Sequence, residues 1–253
     1  MDSIDFMPDE RAEALALAGR LMRLMQPVTR PGDTSAVRRL LQANAATLRR
    51  DRFGLHPVLR HMHTAILLAE RLSPDRNMAL ALMLYEYVRT GAVERAQISA
   101  DWGEDVAHMV DGLLNVATLY SRKAAVETDN FRKLLLTFAD DIRVIIIMIV
   151  DRLALMQAIN HHPDAEAVRH VAAEASYLYA PLAHRLGLYA IKGELEDLAF
   201  KYSNREMFTR IARKLNQTKT HREKYIADFI EPVRRRLKAE GLNFEIKVRT
   251  KSI

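Results

Sequence analysis

The chain has 253 residues, 49% of them hydrophobic and 28% charged, with only 9 Gly and 8 Pro, a composition that favours helices and can bury one large core or two modest ones. It contains no cysteine, which excludes a disulfide frame, a thiolate metal site and a cysteine nucleophile, and suits a reducing cytoplasmic compartment. The net charge of +6 is unevenly placed: residues 201–253 carry a net +9 and residues 1–200 a net −3.

The N-terminus, MDSIDFMPDERAEA, is acidic and has no basic region followed by an apolar stretch, so no signal peptide is expected. Apolar residues recurring every three or four positions then predict about nine or more helices. One covers residues 9–25. Asp33 or Thr34 offers an N-cap for a second, running to about Arg50. After the break RFGLHP a third covers 57–72. Ser73 and Pro74 open a fourth that ends at Gly91 and carries Tyr85 and Glu86 on its last two turns. Residues 94–120 form two helices broken at Trp102-Gly103. Segments 130–138 and 140–159 follow. The apolar run 144–150, bounded by Arg143 and Asp151, is too short for a bilayer span of ~20 residues and reads as a buried helix, so no membrane partner is expected.

HHPDAE starts another helix, and the chain continues through EASYLYAPLAHRLGL and YAIKGELEDLAFKY to a basic helical stretch. There Lys and Arg alternate with Leu, Ile and Phe at helical spacing. Two readings stay open, a solvated helix face and an anion-binding surface for RNA or phosphates. Finally LNFEIKVRT alternates apolar and polar residues with period two, a strand signature. A lone strand needs partners, so the polypeptide is expected to continue beyond Ile253 into a domain with a sheet.

His61, the pair Tyr85-Glu86 and Asp151 are threaded on three separate helices. Helix-borne His and carboxylate groups that converge are a sound way to hold a borderline divalent metal. Tyr85 is a poor ligand, since a phenol titrates near ~10. Glu86 keeps a carboxylate but displaces it by roughly 1.5 Å relative to an Asp. Arg89 and Thr90, one turn later, offer no acidity, and Arg89 disfavours a bound cation. The alternatives are plain: His61 and His63 as core or boundary histidines, Asp151 paired to an arginine such as Arg152 or Arg185, His161 and His162 in a loop, and Met148 and Met156 as core filler.

The segments DNFRKLLLTFADDIRVIIIMIVDRLALM, YAPLAHRLGLYAIKGELEDLAFKY and the terminal VRTKSI resemble the long RelA/SpoT-type (p)ppGpp synthetase/hydrolase proteins of bacteria, over residues 40–253. The resemblance implies an all-α, HD-type hydrolase domain that binds Mn2+ and removes the 3′-pyrophosphate of the alarmone. A synthetase domain, which needs Mg2+ and transfers pyrophosphate from ATP to GDP or GTP, would follow. The implied division is a degenerate hydrolase domain over 1–200, a basic helical linker over 201–241 and the start of the synthetase over 242–253.

Carried over by position, His61 matches the family's first metal histidine and Asp151 its last metal aspartate. Tyr85-Glu86 stands for its His-Asp, and Arg89-Thr90 for its catalytic Glu-Asp. DRLALM stands for DRLHNM, so Leu155 replaces an asparagine that contributes to nucleotide binding. Arg52 in RRDRFG matches a basic residue near the guanine pocket. Arg249 and Lys251 match the ATP-contacting Arg and Lys that open the synthetase, with Val248 where a glycine is expected. The resemblance therefore implies a pseudo-hydrolase that needs no cofactor of its own and regulates an adjoining synthetase domain of the parent GTP pyrophosphokinase. Its alternatives are a Mn2+-dependent hydrolase with an altered site and a module that binds guanine nucleotide (ppGpp, GDP, GTP) or, through the full-length protein, the ribosome or RNA.

Overall fold

The computed structural model describes residues 6–44, 47–121, 141–217 and 219–246. The elements are α1 (Pro8–Met25), α2 (Asp33–Ala43), α3 (Pro57–Arg71), α4 (Arg76–Arg89), α5 (Arg95–Trp102), α6 (Glu104–Ser121), α7 (Ile142–Ala158) and α8 (Ala165–Glu174). A π-helical turn (Ala175–Tyr179) leads into α9 (Ala180–Arg185), followed by α10 (Tyr189–Ser203), α11 (Arg205–Gln217) and α12 (Lys219–Ala239). The fold is an all-α, HD-domain-like bundle. No strand occurs among the described residues, and none of their helices is long and apolar enough to cross a membrane.

Side chains at the ends set several boundaries. Asp141 caps α7 by accepting from the Arg143 N–H, and Asp164 caps α8 by accepting from Glu166 and Ala167. Gly103, at φ 101°, makes the break between α5 and α6 that a side chain would resist. Two expected caps are displaced. α4 starts at Arg76 with Asp75 as cap, accepting from Met78 N–H at 2.9 Å, rather than at Ser73-Pro74. Asp33 does not cap α2, whose N-cap is Gly32; its carboxylate instead takes a two-pronged contact from Arg76, both N···O distances 2.6 Å. That ion pair ties the start of α2 to the start of α4. α2 also ends at Ala43, short of Arg50. Arg50 pairs instead with Glu10 of α1 at 2.7 Å.

The core is built around α3 and α7. α3 packs against α1, α4 and α7, and α7 packs in turn against α4, α6 and α10. α7 buries Val144, Ile145, Ile147, Met148, Ile149, Val150, Leu153 and Met156, so its apolar residues face inward on nearly every side. α8, the π turn, α9 and α10 pack on one another and meet the first group through α7. α11 leans on α10, and α12 on α11. α12 is largely exposed, with Tyr225, Phe229 and Val233 open to solvent at four-residue spacing among its lysines and arginines.

Residues 242–246, where the strand pattern begins, carry no strand, and residues 247–253 lie outside the described residues, as does the expected helix at 130–138. A β-ladder needs a second strand to bond to, and the described residues contain none.

A close interhelical approach falls at Gly112 of α6, where an added Cβ would stand 2.8 Å from the Cγ2 of Val144 on α7. Valine is stiff at χ1 and fully buried here, so it has little room to yield. Gly112→Ala should therefore lower stability by about 1–3 kcal/mol from overpacking, outweighing the gain of about 1 kcal/mol in helix propensity. Urea midpoints at unchanged m-value would show this, and Val144→Ala should relieve part of the loss in the Gly112→Ala background.

Candidate functional site

Three helices converge where the sequence places its candidate ligands. α3 presents Arg60, His61 and Thr64, the last two turns of α4 present Tyr85 and Glu86, and the middle of α7 presents Asp151. α3 is held at its start by His56, whose Nδ1 accepts the Val58 N–H at 3.3 Å. The helix then runs with its apolar side on the core and brings His61 inward, 2% exposed.

His61 lies against Tyr85, ring centroids 5.2 Å apart at 47°, and its Nε2 has no hydrogen-bond partner. Burial, followed by the positive charge of Arg60, pushes its pKa down to about 4, against the partial pull of Asp151 and Glu86. His61 is thus a neutral imidazole at pH 7. Burial, and then the neighbouring charge of Glu86, raises the Tyr85 phenol well above its ordinary range, so it stays protonated and is no anionic ligand.

The carboxylates are already engaged. Glu86 is 7% exposed and accepts from Arg89 Nε at 2.6 Å, one turn along the same helix. Thr90 donates its hydroxyl to the Tyr87 carbonyl at 3.2 Å, so neither residue of the Arg89-Thr90 pair offers an acid or a base. Asp151 accepts from the Thr64 hydroxyl at 3.1 Å and lies 3.4 Å from Arg60 Nε. The far side of the Arg60 guanidinium is 3.2 Å from Asp51, in the loop before α3.

The arginine that neutralises Asp151 is therefore Arg60, and neither Arg152 nor a metal is needed for it. Arg152 pairs with Glu174 at 2.7 Å and stacks on Tyr179 with its guanidinium 4.5 Å from the ring centroid. Arg60 is the residue that reading the sequence missed. Its signal was present: it is the one Lys, Arg, Asp or Glu in residues 57–69, a stretch otherwise suited to burial.

The remaining candidates are dispersed. Arg52 is exposed and rests over the Phe53 ring at 4.9 Å, and Phe53 meets His162 edge-on at 5.1 Å in the loop after α7. Leu155, one turn beyond Asp151, is buried in the core beside Ala154 and offers no polar group. His63 faces outward to Glu13 at 2.8 Å. Met148 and Met156 are core residues, and His161 and His162 lie in a loop. Arg249 and Lys251 lie outside the described residues. An apolar cavity of about 160 Å³ opens between α1, α2, α3 and α4, lined by Met22, Met25, Met62 and Met83 among others, away from these groups.

This geometry agrees with the kinship of the chain. Residues 36–189 match the family model described as the HD domain. The chain belongs to the HD-domain family, within its RelA/SpoT group. It is 34% identical over 203 residues to a GTP pyrophosphokinase of Myxococcus xanthus, covering 78% of this chain and 26% of that protein. Against the GTP pyrophosphokinase of Escherichia coli strain K12 it is 32% identical over 189 residues, 72% of this chain and 25% of the relative. A guanosine-3′,5′-bis(diphosphate) 3′-pyrophosphohydrolase of Aquifex aeolicus is 33% identical over 198 residues, 78% of this chain and 27% of that protein. The chain thus spans about a quarter of the length of the relatives it matches.

Hydrolases of the HD family are typically metal-dependent, and the donor set here does not fit a metal. His61 alone offers a buried donor atom with no partner and no neighbouring arginine bound to it. Tyr85 is a neutral phenol, Glu86 is turned to Arg89, and Asp151 is shared between Thr64 and a permanent cation. Among the described residues no three His, Asp or Glu side chains come together as a metal site.

His61 gives the fold a pH dependence. Its folded pKa of about 4 lies below the ordinary 6.5, so the unfolded chain binds the proton more readily. The stabilisation is complete above pH 6.5 and is lost as the pH falls toward the folded value. Between pH 7 and pH 5 the loss should be about 2 kcal/mol. Urea denaturation at both pH values measures it, and the loss should shrink in His61→Leu.

Proposed function

We propose that this chain is a pseudo-hydrolase: an HD-type domain that keeps the helical scaffold, has lost the metal chemistry, and regulates a synthetase domain in a longer GTP pyrophosphokinase-like protein. In that reading residues 1–200 are the degenerate domain, 201–241 a basic helical connection and 242–253 the entry to the synthetase. The observation that carries it is the engagement of both carboxylates by arginines of the chain itself, Glu86 by Arg89 and Asp151 by Arg60, at the positions where the scaffold would hold a metal. Loss of the His-Asp pair, the acid pair and the nucleotide-contacting asparagine together supports it. Relatives named for synthesis and for hydrolysis both fall within this kinship, so the scaffold is compatible with either outcome.

Hydrolysis needs a metal-activated water and a group to move its proton. Neither Tyr85 nor the Arg89-Thr90 pair supplies them. The chain incubated with ppGpp and Mn2+ should release no pyrophosphate above an EDTA control, and Mn2+-dependent turnover would refute the proposal. The regulatory half has its own measurement. Removing residues 1–200 from the full-length protein should change its rate of (p)ppGpp synthesis while hydrolysis stays absent in both forms.

A further inference from the structure

We propose that Arg60 is a tethered cation that supplies, from within the chain, the positive charge a metal would otherwise bring to the α3–α4–α7 junction, and that it bars a divalent ion from this site. The inference rests on the reading of this domain as a hydrolase scaffold that has lost its metal. It goes further by naming the residue that replaces the ion and by stating that ligand loss alone does not explain the exclusion.

The guanidinium bridges two carboxylates from different parts of the fold, Asp51 at 3.2 Å ahead of α3 and Asp151 at 3.4 Å on α7. It immediately precedes His61, so a charge on this stem falls beside the imidazole that would ligate a metal. The carboxylates around it favour the cation, Asp151 most, with Asp51 and Glu86 adding to it against the cost of burial. Its Nη1 donates a hydrogen bond to Asp51, while its buried Nε makes none and meets Asp151 as an ion pair at 3.4 Å.

Without a cation, the half-buried carboxylates of Asp51 and Asp151 would lose the charge that lies between them, close to the buried Glu86, an arrangement folded proteins avoid. Either a metal or an arginine can resolve this. Both cannot, because a dication beside a permanently charged guanidinium meets repulsion that low local polarity strengthens. The arginine has the advantage of being always present, so the three helices are held in register with no ligand.

One consequence separates this inference from simple ligand loss. Restoring the missing donors with Tyr85→His and Glu86→Asp should not restore Mn2+ binding while Arg60 remains. Adding Arg60→Met, which keeps an unbranched stem and removes the charge, should tighten Mn2+ binding by at least about tenfold over the double variant. Mn2+ binding is followed by electron paramagnetic resonance and by the Mn2+-induced rise in Tm relative to EDTA, neither of which needs turnover. Arg60→Lys in the same double background keeps the charge and should stay silent.

Mn2+ binding by the double variant with Arg60 in place, no tightening in the triple variant, or equal tightening with Arg60→Lys would each overturn the inference. If the triple variant fails to fold in EDTA, recovery of its helical circular dichroism on adding Mn2+ supports the proposal, and failure to recover counts against it. Stoichiometric Mn2+ binding by the unaltered chain would overturn the pseudo-hydrolase reading itself. A silent unaltered chain with a binding double variant would overturn only the role given to Arg60.

Discussion

A helix that is apolar on nearly every side must lie inside other helices, and any charge it carries midway has to be neutralised where it sits. α7 is that helix, and Asp151 is that charge. Burial of Ile145, Ile147, Ile149 and Val150 fixes α7 between α3, α4, α6 and α10, which holds the Asp151 carboxylate half-buried where these helices meet. The answer to this constraint comes from α3, through the Thr64 hydroxyl and the Arg60 guanidinium. That contact joins α3 to α7 beside His61 and the Tyr85 ring, on a packing that the buried apolar residues of both helices supply.

A catalytic metal site differs from this arrangement in one respect. It keeps donors unsatisfied within the protein so that an ion can complete them, and stability is given up to hold them apart. Here the balance is reversed. Arg89 engages Glu86 along α4, Arg60 engages Asp151 between helices, and of the candidate ligands His61 keeps an Nε2 without a hydrogen-bond partner. A junction that completes itself is suited to transmitting force or position between helices, since its geometry does not depend on whether a ligand is present.

The helical framework was largely legible from the chain alone, because hydrophobic periodicity and caps are local. α1, α3 and α7 lie close to where the pattern puts them, and the Trp102-Gly103 break is where Gly103 turns to positive φ. The errors have a common cause. Asp33 and Ser73 both look like caps, yet Asp33 is drawn away by Arg76, 43 residues on, and the start of α4 is left to Asp75. A short polar side chain near a helix start can satisfy the backbone or a distant charge, and sequence does not say which wins. The period-two pattern after Gly241 was a fair strand signal that found no partner among the described residues.

The site divides along the same line. Residue identity was enough to show that a protonated phenol is a poor metal ligand and that Arg89 and Thr90 bring no carboxyl group, because those are properties of the side chains themselves. Identity also made clear that Asp151, at the end of an apolar run, had to be paired. What identity could not give was the partner. Arg152, adjacent in sequence, points to Glu174 and Tyr179, while Arg60, from another helix entirely, reaches Asp151. Consecutive residues on a helix are turned about 100° apart, so neighbours in the chain face different surroundings. Which charges meet is decided only when the helices pack, and that step set Arg60, not Arg152, against Asp151.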